Sequence, residues 1–132
     1  MTSSRRVLRR IRPDGVIAEE GVVRLKSSEF SPSSLDRRMS TDAEWVLEDE
    51  GKPYATCLGG YPTMGLVAIP VEVLSGLGLE YEVDADPTPW HTSVWVEDAS
   101  GVTKKDFSRS TKRELAKSAE WVLPIPDASP LE

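Results

Sequence analysis

Leu79-Glu80-Tyr81-Glu82-Val83-Asp84 alternates apolar and acidic side chains with a period of two, so a strand here carries Leu79, Tyr81 and Val83 on one face and Glu80, Glu82 and Asp84 on the other. A segment that packs one face on a core and wets the other is the habit of an antiparallel sheet. Upstream, Met64 to Ile69 is apolar apart from Gly65, too short for a helix, and reads as a buried strand. Pro70 then suits the first turn of a short helix, where its missing N–H does no harm, and Gly76 or Gly78 suits its end. Downstream, the proline-rich turn Asp86-Pro87-Thr88-Pro89-Trp90 leads through His91 into the strand-like run Thr92-Ser93-Val94-Trp95-Val96.

Working outward, Val22, Val23 and Leu25 form a β-prone run after Gly21, and residues 27–34 supply the hydroxyls and proline of a loop. Tyr54 to Leu58 suits a short element of undecided type. Thr41-Asp42-Ala43-Glu44 and Thr111-Lys112-Arg113-Glu114 both have capping-box spacing, so each threonine is expected to open a helix. The second helix is expected to bury Leu115, Ala119 and Val122 and to stop at Pro124. In residues 5–12, Val7, Leu8 and Ile11 fit a helical face and a strand equally, and both remain open. These elements predict an α+β fold: a small mixed or antiparallel sheet with two or three short helices. Residues 1–123 read as one domain, with residues 1–6 a basic arm open to fraying and 124–132 a proline-containing flexible tail.

A chain of 132 residues with four tryptophans and 39% hydrophobic residues buries a single core without needing a disulfide or a structural metal. Cys57 is the only cysteine and His91 the only histidine, which excludes a Cys/His zinc site within one chain, and no cofactor is expected. No apolar run is long enough to span a bilayer and the N-terminus lacks a secretory apolar stretch, so no membrane association and a cytoplasmic setting are expected. The net charge of −6 hides an asymmetry, because Arg5, Arg6, Arg9, Arg10 and Arg12 all precede the first acid, Asp14. Without them, 11 basic residues face 22 acidic ones, and an acidic body disfavours broad nucleic-acid binding. The arginines suit a grip on one phosphate or on an acidic partner, or else a solvated terminus.

His91 titrates near neutral pH when unperturbed and sits where a turn meets a strand, the kind of place from which folds present side chains to ligands. Trp90 beside it is a candidate to stack on a ring or to close a partner surface. Nothing in the sequence places Cys57 near His91, and a packed thiol is the favoured reading over a nucleophile. Glu82, Asp84 and Asp86 offer three oxygen donors on one strand face, read here as the wet face of a sheet with no metal bound. Gly59-Gly60-Tyr61-Pro62-Thr63-Met64-Gly65 lacks the lysine and following helix of a phosphate loop and is rejected as one.

Leu8-Arg9-Arg10-Ile11, Ser28-Glu29-Phe30, Met39-Ser40-Thr41-Asp42, Asp86-Pro87 and His91-Thr92-Ser93-Val94, closed by Trp121, occur in an order that resembles a scattered family of small bacterial proteins. That resemblance implies a standalone bacterial domain and carries no established activity. A fainter similarity is to ADP-ribosyltransferase-like folds, which would give Arg9 or Arg10 and Ser28 or Ser40 a role against a nucleotide or NAD-like ligand, although no recognisable catalytic Gln-x-Glu or Glu-x-Glu step accompanies them. Two function classes follow. The first is an interaction module with a protein partner in a bacterial multi-component system, of the defence or toxin–antitoxin kind, acting through Arg9, Arg10, Trp90 and His91. The second is a small enzyme or nucleotide binder in which His91, Ser28 and Ser40 are the catalytic candidates.

Overall fold

A strand places Val7 and Ile11 on one face and Leu8 on the other, and that arrangement is favourable only if both faces meet a core. In the computed structural model, which describes residues 5–19, 22–33, 37–59, 63–97 and 104–125, Arg6–Ile11 is strand β1 and all three side chains are fully buried. The remaining strands are β2 (Val16–Glu19), β3 (Val22–Leu25), β4 (Met39–Ala43), β5 (Gly65–Pro70), β6 (Glu80–Val83), β7 (His91–Glu97), β8 (Lys104–Lys105) and β9 (Glu120–Leu123). The helices are α1 (Glu44–Asp49), α2 (Val71–Gly76) and α3 (Arg109–Ser118), with 3-10 turns at Ser27–Phe30 and Tyr54–Leu58.

The fold is α+β, with all described strand pairs antiparallel. The main sheet runs β6-β7-β4-β1-β5-β9 with β8 on β7, and β2 and β3 form a separate ribbon. On one face Val7, Ile11, Met39, Val67, Ile69 and Val94 pack with Phe30, Leu74 of α2 and Leu115 of α3. On the other, Leu8, Leu66 and Ala68 meet Leu47 of α1, Cys57 and Trp90, a core half the size. That second face therefore has apolar cover over only part of its area, and the uncovered strip carries the polar side chains described below.

Several expectations are corrected. Thr41 lies inside β4, where its Oγ1 donates to the Thr92 carbonyl at 2.9 Å, and α1 begins at Glu44 after Ala43, whose position at the cap supplies no side-chain hydrogen bond. Helix α3 begins three residues earlier than Thr111: Ser108 is the cap, its Oγ accepting from the Thr111 N–H at 3.1 Å. Ser108, Ser110 and Thr111 all supply hydroxyls, and the glutamate at Glu114 pointed to the wrong one. The same helix ends at Ser118, because Trp121 and Leu123 pair with Val67 and Leu66 as an outer strand, so ladder formation overrides the helical period that Val122 had suggested. Glycine at 65 permits this pairing: a Cβ there would lie 2.6 Å from the Trp121 ring and 2.8 Å from Ile125.

The ends of the domain also move. Arg6 is not part of an arm; its Nε and Nη2 donate to the Glu44 carboxylate at 2.9 and 2.6 Å, while Arg5 lies 4.9 Å over the Trp45 ring. Ile125 is buried in the larger core, so the packed body runs past the expected boundary at 123. Residues 1–4 and 126–132 lie outside the described residues.

Candidate functional site

Antiparallel register aligns Leu8, Asp42 and His91 across β1, β4 and β7, so their side chains share the partly covered face. Arg10 follows Leu8 by two residues, and Ser40 precedes Asp42 by two. Leu8, Arg10, Ser40, Asp42, Pro87 and His91 line a cleft of about 250 Å³. Of the residues singled out from sequence, this cleft brings together Arg10, Ser40 and His91.

The turn before β7 fixes the histidine. His91 N–H donates to the Thr88 carbonyl, and the His91 carbonyl accepts from both Asp84 and Ala85 N–H at 3.1 and 3.2 Å. Ala85 is held at φ 54°, a left-handed conformation that alanine rarely adopts. This fold-back sets Asp84 Oδ1 2.5 Å from His91 Nδ1, while Ser93 Oγ donates to Asp84 Oδ2 at 2.5 Å. Desolvation works against the Asp84 charge, but the hydrogen bonds from Ser93 and His91 outweigh it and hold the carboxyl below its usual range. An ionised Asp84 makes Nδ1 the protonated nitrogen, and Nε2 remains for a second partner. Asp84 thus orients an imidazole, and its expected place on a wet acidic face is corrected.

Asp42 stands beside this pair in a different state. Burial pushes its carboxyl upward, only partly offset by a hydrogen bond from the Cys57 thiol and by the charges of Arg10 and His91. Cys57 is therefore one side chain removed from the cleft. Burial and the Asp42 charge drive its own pKa far up, and at 4% exposure it is a packed thiol and not a nucleophile.

Arg9 points away from this cleft into the gap where β1 and β4 diverge. Its Nε donates to the Glu29 carbonyl at 3.0 Å and its Nη1 to the Ser40 carbonyl at 2.7 Å. Desolvation lowers its pKa to about 10, which still leaves it cationic at neutral pH. Arg9, Arg10, Arg12, Ser28, Glu29 and Met64 line a second pocket of about 190 Å³, where Arg12 clasps the buried Glu29 carboxylate with Nη2 at 2.7 Å. Ser28 belongs to this pocket and not to the His91 cleft. Trp90 is corrected: at 8% exposure it fills the smaller core, and its carbonyl accepts from Ala43 N–H, so its ring closes no surface.

A larger concavity was invisible in the sequence. Between the β2–β3 ribbon and α3 lies a groove of about 760 Å³, within the range of ligand sites. Ile17, Leu25, Ala116, Ala119 and Trp121 supply its apolar surface, and Arg24, Lys26, Arg113 and Lys117 its charge, with no acidic residue in the lining. Ile17 is the one large hydrophobic residue among those described that is exposed, at 40%. No local motif marks this groove, because its walls come from segments some ninety residues apart in the chain.

Among the described residues no group of histidine, cysteine and carboxylates could hold a metal ion, and no helix is long and apolar enough to cross a membrane. The chain matches no family model, no curated protein and no solved structure.

Proposed function

We propose that this protein is an interaction module that docks an acidic, apolar-anchored peptide segment of a partner protein in the groove between the β2–β3 ribbon and α3. The observation that carries this reading is the charge of the groove: four cationic residues and no acid line its apolar floor, with Glu114 3.9 Å from Lys117 outside the lining, in a chain whose net charge is −6. A concave surface whose charge is opposite to that of the chain as a whole steers an oppositely charged partner and rejects like-charged ones. The floor of Ile17, Leu25 and Trp121 gives such a segment a place to bury an aliphatic or aromatic anchor, which is where most interface energy resides. Strand β9 adds a second feature, since it ends the sheet and has a neighbour on one side only among the described residues. The sequence resemblance supplies a bacterial setting to this reading, and the partner is sought among the components of a multi-component system.

The test uses the full chain and a fluorescent peptide alternating glutamate with leucine, beside a matched peptide alternating lysine with leucine. The glutamate peptide should bind, weaken with salt, and lose at least about tenfold in affinity when Arg113→Glu and Lys117→Glu are combined. Equal binding of both peptides, or an unchanged affinity in the double variant, would overturn the reading.

A further inference from the structure

The His91 cleft and the arginine pocket touch the same side chain, Arg10, and their chemistry changes sign from one to the other. We propose that together they form one binding site for a phosphorylated polyol, with the phosphate against the arginines and the hydroxyls against Asp42 and His91.

The arginine end collects Arg9, Arg10 and Arg12 around Glu29, with Asp14 3.9 Å from Arg12 Nε, so three cations face two acids on an acidic protein. Two of these guanidinium groups are already fixed. Arg9 spends Nε and Nη1 on backbone carbonyls, and Arg12 spends Nε and Nη2 on Glu29, which leaves Nη2 of the first and Nη1 of the second as pre-positioned donors. Guanidinium donors held in place by the protein lose little entropy on taking a phosphate. Ser28 adds a hydroxyl to the same pocket.

The other end has the opposite demand. His91 Nδ1 is committed to Asp84, so in its neutral form the imidazole presents an Nε2 lone pair, and Asp42 presents carboxylate oxygens next to it. Two acceptors side by side are suited to donating hydroxyls, and Asp42 would repel a phosphate placed there. The raised pKa of Asp42 agrees with a carboxyl that is desolvated and short of donors, which polyol hydroxyls would supply. Each pocket alone is below the usual size of a small-molecule site, and a ligand reaching past Arg10, which lines both, would draw on the two together. The groove proposed above for a peptide plays no part in this site.

Because His91 is the only histidine, its imidazole resonances report on the cleft without ambiguity. The full chain is titrated with ribose 5-phosphate, ribose, inorganic phosphate and adenosine 5′-monophosphate. Ribose 5-phosphate should shift the His91 signals saturably, with ribose and inorganic phosphate weaker by at least about tenfold. Arg10→Gln, at an exposed position, should weaken ribose 5-phosphate by a similar factor in a chain that still unfolds cooperatively. Asp42→Asn should weaken ribose 5-phosphate and leave inorganic phosphate unaffected. Tighter binding of the nucleotide than of ribose 5-phosphate assigns the ligand to nucleotides, and equal or weaker binding to free sugar phosphates; both uphold the site. No shift with any phosphorylated probe, phosphate alone as tight as ribose 5-phosphate, or no effect of either variant overturns it.

Discussion

Asp42 and Glu44 stand two residues apart where β4 passes into α1, and their surroundings could hardly differ more. Glu44 is clasped by two nitrogens of Arg6 and accepts from the Tyr54 hydroxyl at 2.6 Å, and the Arg6 hydrogen bonds hold its carboxyl below the ordinary range. Asp42 receives only a thiol and two neighbouring charges, and burial pushes it the other way. A carboxylate whose oxygens are satisfied by the fold contributes to stability. One left desolvated beside an oriented imidazole is poised to take donors from outside.

The largest effect that would test the contrast belongs to Glu44→Gln. It turns one oxygen facing Arg6 Nη2 and the Tyr54 hydroxyl into a donor, and should destabilise by roughly 1–3 kcal/mol, between an exposed pair and a buried one. Urea denaturation at neutral pH measures it. The pH dependence carries the sign. Glu44 titrates lower folded than unfolded, so its contribution is present above the unfolded carboxylate pKa and is lost as pH falls through the folded value. Asp42 has the opposite sign: its charge opposes folding at neutral pH, and that opposition disappears as pH falls below its raised value. Glu44→Gln should therefore flatten the acid limb of the stability profile, and Asp42→Asn should steepen it.

A smaller effect calibrates the scale away from both carboxylates. Ser108→Ala should lower stability by about 1 kcal/mol through loss of the α3 cap, while Thr111→Ala keeps the accepting oxygen and should lose less. Equal losses would return the helix start to Thr111.

Strands were legible in the sequence wherever one property repeated locally: the alternation at 79–84, the apolar run in β5, and the β-branched run entering β7 all read as what they are. Elements set by partners elsewhere were not. Trp121 and Val122 continue a helical period on paper, and only pairing with the edge of β5, where Gly65 leaves room for the Trp121 ring, makes them a strand. Thr41 has the spacing of a cap and the environment of a buried ladder residue. The site was legible as residue types and not as geometry. His91, Arg10 and Ser40 stood out, but Asp42 and Asp84 became meaningful only through cross-strand register and the fold-back at Ala85. The basic groove left no local trace at all, since its two walls are separated by most of the chain.

The most direct measurement is a paired one, the urea midpoints of Asp42→Asn and Glu44→Gln at neutral pH against the unaltered chain. Asp42→Asn keeps an oxygen for the Cys57 thiol and sheds a charge that burial opposes, so the stability of this variant should stay within about 0.5 kcal/mol of the parent or exceed it, while Glu44→Gln falls clearly below. A loss at Asp42→Asn as large as that at Glu44→Gln would make Asp42 a structural carboxylate like its neighbour, and would contradict the assignment of the His91 cleft as a place held open for a ligand.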